Sequence, residues 1–124
     1  MTRSAAFRVL LLATALAALA LRLPHLDRKL MHGDEAVHTY KFNELWQTGR
    51  YDYDPHEYHG PTLYYFTLPG VWLSGAANYQ QTTAAMYRVV PVVFGVGLIL
   101  LLLLVGDGLG RGAALAAGLL TVLS

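Results

Sequence analysis

The residues best suited to chemistry are two adjacent carboxylates bracketed by histidines, in the run Met31-His32-Gly33-Asp34-Glu35-Ala36-Val37-His38. A carboxylate in such a place can take a proton. Gly33 breaks whatever precedes it, Ala36 to Thr48 holds no Pro or Gly, and Gly49 is a helix stop. A helix is therefore expected over 34–48, with Asp34 and Glu35 in its first turn. There, unpaired backbone N–H groups and the positive end of the helix dipole favour the ionised form. Asp34 is expected to be charged, held in place and able to accept a proton. The plainer role is that of N-cap, and the two are compatible.

Other ionisable groups cluster in the same part of the chain: His32, His38, Asp52, Asp54, His56, Glu57 and His59, with Arg22, Arg28, Lys29 and Arg88 as cations. His32, Asp34, His38 and the His56/His59 pair offer the nitrogen and oxygen ligands a divalent metal ion takes, but their spacing leaves the geometry open, and solvated loop histidines look the same in sequence. Tyr51, Tyr53 and Tyr58 either stack on a sugar or anchor at a membrane interface. The chain has no cysteine and no Gly-rich phosphate loop, and no Ser-His-Asp set falls in one local motif.

The elements that must carry these groups are read from composition. Of 124 residues, 55% are hydrophobic and only 14% charged, which is too apolar for an ordinary soluble domain. Net charge is +1 without a basic run, so nucleic acid is not an expected partner. An all-α, polytopic membrane protein is expected. Val9 to Leu21 is an unbroken apolar run behind Arg3 and Arg8, read as a first transmembrane helix over about 5–23, with a signal peptide as the rival. Val89 to Val105 gives a second span over about 87–105, Gly106 to Gly112 a tight turn, and 113–124 a third span that the chain end cuts short. The chain is thus expected to be the amino-terminal piece of a longer protein. Arg3, Arg8 and Arg111 put the outer flanks in the cytoplasm and the loop of about 24–86 outside, in a multi-pass protein of the cell membrane. Within that loop, Pro61 to Leu73 is apolar and aromatic but interrupted by Pro69-Gly70. A second short helix is expected over 61–74, lying at the membrane surface with Tyr64, Tyr65 and Trp72 at headgroup level; a further full span is the alternative.

The ordered set Met31-His32-Gly33-Asp34-Glu35, Tyr53-Asp54-Pro55, His59-Gly60-Pro61-Thr62-Leu63-Tyr64-Tyr65 and Arg88 at the opening of a membrane helix resembles the amino-terminal end of the GT-C membrane glycosyltransferases. These include the protein O-mannosyltransferases and lipid A aminoarabinose transferases. The fuller run looks closest to the archaeal and bacterial flippase-associated proteins of the N-glycosylation pathway. The resemblance implies an inverting enzyme that moves a sugar from a polyprenyl-phosphate donor to an extracytoplasmic acceptor. Asp34 would be the general base, with Glu35 beside it in the catalytic pair. His32, His38, Tyr53, Asp54, His59 and Arg88 are the expected substrate contacts. The departing phosphate is already charged and calls for cations rather than a strong acid. Aminoarabinose transferases commonly carry a Lys just before the surface-helix proline, where this chain has His59-Gly60-Pro61. Arg88, Arg22, a protonated His59 or a residue of the expected carboxyl-terminal part beyond Ser124 would then meet the phosphate. A membrane protein that binds or helps to flip lipid-linked sugars without turning them over would share these features, and a purely structural loop is the bland third reading.

Overall fold

The computed structural model describes residues 3–24, 26–56 and 60–123, and all the regular structure among them is helical. In chain order the helices are α1 (Arg3–Arg22), α2 (Gly33–Thr48), α3 (Thr62–Ser74), α4 (Ala84–Leu109) and α5 (Arg111–Leu123), with a single 3-10 turn at Tyr79–Gln81. Two of them, α1 with 20 residues and α4 with 26, are long and apolar enough to cross a membrane. At 1.5 Å per residue, α1 is about 30 Å long, the thickness of a hydrocarbon core. The chain divides into two compact units, one of residues 1–24 and 91–124 and one of residues 25–90.

In the first unit, α1 buries Phe7, Leu11, Thr14, Ala15 and Ala18, a stripe of three- and four-residue steps. Val96 and Ile99 of α4 and Ala114 of α5 complete its core. Small residues bring α1 and α5 close: a β-carbon on Gly118 would lie 3.3 Å from a Leu11 methyl. Small residues let apolar helices approach closely, which is how they associate where water supplies no driving force. Between their ends, where Arg3, Arg8 and Asp107 are exposed, the outward faces carry Leu, Val and Phe, with Leu104 80% exposed.

The expected turn over 106–112 is not formed, because α4 continues through Gly106, Asp107 and Gly108 to Leu109. The chain breaks only at Gly110, whose φ of 84° is a left-handed conformation that costs other residues dearly. Gly106 serves packing instead: a β-carbon there would lie 2.4 Å from the Phe7 ring. Across the break, Arg111 Nε donates to Asp107 Oδ1 at 2.8 Å, and its guanidinium lies 5.8 Å from the centre of the Phe7 ring.

The second unit is held by rings. Phe42, Leu45, Tyr64, Val71 and Tyr87 form its core, with Trp46, Tyr51, Leu68 and Met86 packed around them. Phe42 meets Tyr87 edge-on at 5.5 Å, and Tyr51 stacks on Tyr64 at the same distance, geometries that suit the ring quadrupoles. Helix α3 runs on through Pro69 and Gly70. A β-carbon on Gly70 would be 3.9 Å from both the Met86 carbonyl and a Val89 methyl, so the residue without a side chain sits where the opening turns of α4 pass.

Candidate functional site

The start of α2 decides what the acidic pair can do. His32, not Asp34, is the N-cap, with extended backbone at φ −71° and ψ 160°. The third helical residue explains the shift: Glu35 reaches back, and its Oε2 accepts the His32 N–H at 2.9 Å. Asp34 is thereby the second residue of the helix. Its side chain is 78% exposed, 3.9 Å from His32 Nδ1, and open to an incoming hydroxyl.

Glu35 is spent differently. Arg88 grips it with two parallel hydrogen bonds, Nε to Oε1 and Nη2 to Oε2, each 2.7 Å. Such a planar fork on a carboxylate is the strongest ion-pair geometry a protein has. The same guanidinium donates to the carbonyls of Leu26, Lys29 (3.0 Å) and Leu30 (3.2 Å). One arginine therefore ties the 26–30 segment, the first turn of α2 and the opening of α4 together. The Arg88 hydrogen bonds hold the Glu35 carboxyl down at about 2, assisted by the His32 N–H and opposed by partial burial.

Asp27, which no sequence pattern singled out, adds a second tie: its Oδ1 accepts the Ala85 N–H at 2.8 Å. Ala85 is in the first turn of α4, where backbone donors lack helical partners. An aspartate that caps a helix 58 residues away leaves no mark in local sequence.

The remaining expected residues scatter. His38 is buried, flanked by the Tyr64 and Tyr87 rings at 5.3 Å. The Thr67 hydroxyl donates to the Leu63 carbonyl, so its oxygen accepts from His38 Nε2 at 3.1 Å, which places a proton on that nitrogen. Burial in this packing explains why a histidine one turn beyond Asp34 does not share its surface. Tyr53 is 73% exposed. Asp54 closes a local turn by accepting the His56 N–H at 2.8 Å. Asp52 pairs with Arg50 at 3.1 Å and, with Tyr51, lines a cleft of about 210 Å³ along the second half of α2. His59 lies outside the described residues, as do Glu57 and Tyr58. Among the described residues, no three His, Asp or Glu side chains gather as a metal ion would need.

What the arrangement offers is an exposed carboxylate on a braced helix start, beside a second carboxylate locked in an ion pair. No known family model, curated protein or solved structure matches this chain.

Proposed function

We propose that the protein is a membrane glycosyltransferase that moves a sugar from a polyprenyl-phosphate donor to an extracytoplasmic acceptor, with Asp34 as general base. Asp34 takes the proton of the acceptor hydroxyl, the oxygen attacks the anomeric carbon, and the lipid phosphate leaves with inversion. The observation that carries this reading is the contrast between the adjacent carboxylates: Glu35 is fixed by Arg88 while Asp34 is exposed two residues from the cap. Neighbouring carboxyls placed in different environments are a recurrent way of dividing roles. Glu35 and Arg88 then act as positioning residues that hold the base, rather than touching substrate.

In this reading α1 and α4 span the cell membrane and the intervening segment is extracytoplasmic. Helix α3 lies at the interface, where its exposed Tyr65, Phe66, Trp72 and Leu73 suit headgroup level. These 124 residues hold no cysteine, so a thiol introduced among them is read against the parent protein as background. Tyr53→Cys is expected to react with an impermeant maleimide on intact cells, and Asp107→Cys only after permeabilisation. The reverse pattern would overturn the orientation.

The direct test is Asp34→Asn in the full-length protein, assayed by release of polyprenyl phosphate. Turnover is expected to fall by about 10²–10⁴ with donor binding retained. Undiminished turnover removes Asp34 from the mechanism. One observation favours the alternative, a protein that binds or helps to flip lipid-linked sugars: Arg88, one of the cations expected at the phosphate, is committed to Glu35 and three carbonyls. That alternative predicts donor binding without turnover in the native protein.

A further inference from the structure

The second unit carries a cleft that the proposed reaction does not use. It encloses about 230 Å³ between the last two turns of α2 and the segment over 77–80, and its walls include Asn43, Trp46, Gln47, Asn78, Tyr79 and Gln80. These are four amides and two aromatic rings, without a charge among them. Gln47 Nε2 donates to Asn43 Oδ1 at 3.2 Å, which orients both amides. Trp46 is anchored against the buried Phe42 ring at 5.8 Å. The facing wall is tied down as well: the Tyr79 hydroxyl donates to Thr39 Oγ1 at 3.2 Å, the Ala77 N–H to Gln81 Oε1 at 2.8 Å, and the Gln81 N–H to the Asn78 carbonyl at 3.1 Å. Asn43 follows Asp34 by nine positions of α2, half a turn round the helix and about 14 Å along it. A group held in the cleft is therefore not the one that meets Asp34.

We propose that this cleft binds a neutral sugar ring of a glycan, its C–H face against Trp46 and its hydroxyls on the surrounding amides. A pyranose presents weakly positive C–H groups on its faces, which suit the negative face of an aromatic ring. Around its edge each hydroxyl both donates and accepts, and a side-chain amide offers both functions at once. Walls without a charged group disfavour phosphates and acidic sugars, which would leave their hydration for no counter-charge. The volume is below the ~300–1,000 Å³ of drug-sized ligand sites, so the cleft takes one ring and leaves the rest of a glycan outside. An extended peptide is held through its backbone on a sheet edge, whereas this cleft is walled by side chains and the Ala77 N–H is already engaged. Because both walls are fixed by their own hydrogen bonds, little ordering cost falls on binding. The site needs the cleft and not Asp34, and so does not rest on sugar transfer.

The experiment is saturation-transfer NMR of the full-length protein in lipid nanodiscs, with maltohexaose, mannohexaose, chitohexaose, an acidic oligogalacturonate or a neutral alanine–serine peptide added in turn. At least one of the three neutral oligosaccharides is expected to receive saturation on its ring C–H protons, and the oligogalacturonate and the peptide not to. Trp46→Ala is expected to abolish that signal. Gln47→Ala and Asn78→Ala, at exposed positions whose truncation leaves the core intact, are each expected to weaken binding about two- to tenfold, the loss of one hydrogen bond. Should Trp46→Ala lose its helical circular dichroism, the double variant Gln47→Ala/Asn78→Ala decides. Absence of saturation with all three neutral oligosaccharides overturns the site, as does binding that these variants leave unchanged. Equal binding of the oligogalacturonate overturns recognition by a charge-free cleft, and binding of the peptide alone makes the cleft a peptide groove and overturns the proposal. The outcome is separate from that of Asp34→Asn, because saccharide binding requires no sugar transfer.

Discussion

The two units of this chain are stabilised by different physics. Residues 3–24 and 91–123 are joined by small residues and leucines, with apolar side chains also on the outside. Residues 26–90 are joined by aromatic contacts, hydroxyl hydrogen bonds such as Tyr79 to Thr39 and Tyr87 to Thr82, and the Glu35–Arg88 pair. Two helices of the first unit are long and apolar enough to cross a membrane, and apolar helices of that kind associate through close fit. The second unit buries rings and pairs polar groups such as the His38 and Thr67 side chains where it hides them. Asp34 and Glu35 belong to the second unit, where one is exposed and the other is paired with Arg88.

The sharpest test of that difference is Phe42→Ala. Phe42 is fully buried between Trp46 and Tyr87, and a cavity there is expected to cost about 3–5 kcal/mol. Hydrogen exchange should show the loss across 26–90 and not in α1 or α5. Uniform loss would break the comparison. In the other unit, Gly106→Ala drives a β-carbon into the Phe7 ring and is expected to cost about 1–3 kcal/mol, by thermal unfolding in detergent. Pairing it with Phe7→Leu should recover part of that cost, since the two positions touch. A full, additive loss would deny the contact.

The smallest effect is electrostatic. Glu35 is held at about 2, below an ordinary glutamate near 4.3, so its pairing contributes stability that is complete above that ordinary value. As pH falls towards 2 the carboxylate is protonated and the contribution is lost. Circular dichroism between pH 5 and 2 should therefore show the 26–90 unit loosening at the acid end, and Glu35→Gln should flatten that dependence. Because the pair is partly exposed, the change is expected to be modest.

Much of the helical framework was legible locally. Gly49 and Gly75 close α2 and α3 with left-handed backbone, and uninterrupted apolar runs mark α1 and α4. The glycines of 106–112 misled because a glycine-rich stretch reads as a turn, whereas Gly106 is needed to admit Phe7, a residue 99 positions earlier. In the candidate site, the acidic pair and Arg88 were visible as residue types. That Glu35 would claim Arg88, that His38 would turn inward to Thr67, and that Asp27 would cap α4 were not, because each partner is 29 to 58 residues distant.

By itself, then, the order of residues determined where most of the helices lie, the end of α4 and the cap of α2 excepted, and which of them are greasy enough to enter a bilayer, since propensity and hydropathy act over a few neighbours. Only the tertiary structure decided which carboxylate is bound and which is open. Adjacent acids of nearly equal intrinsic chemistry differ here solely in what the rest of the chain brings within 3 Å of them, and in this protein an arginine 53 residues away chose Glu35.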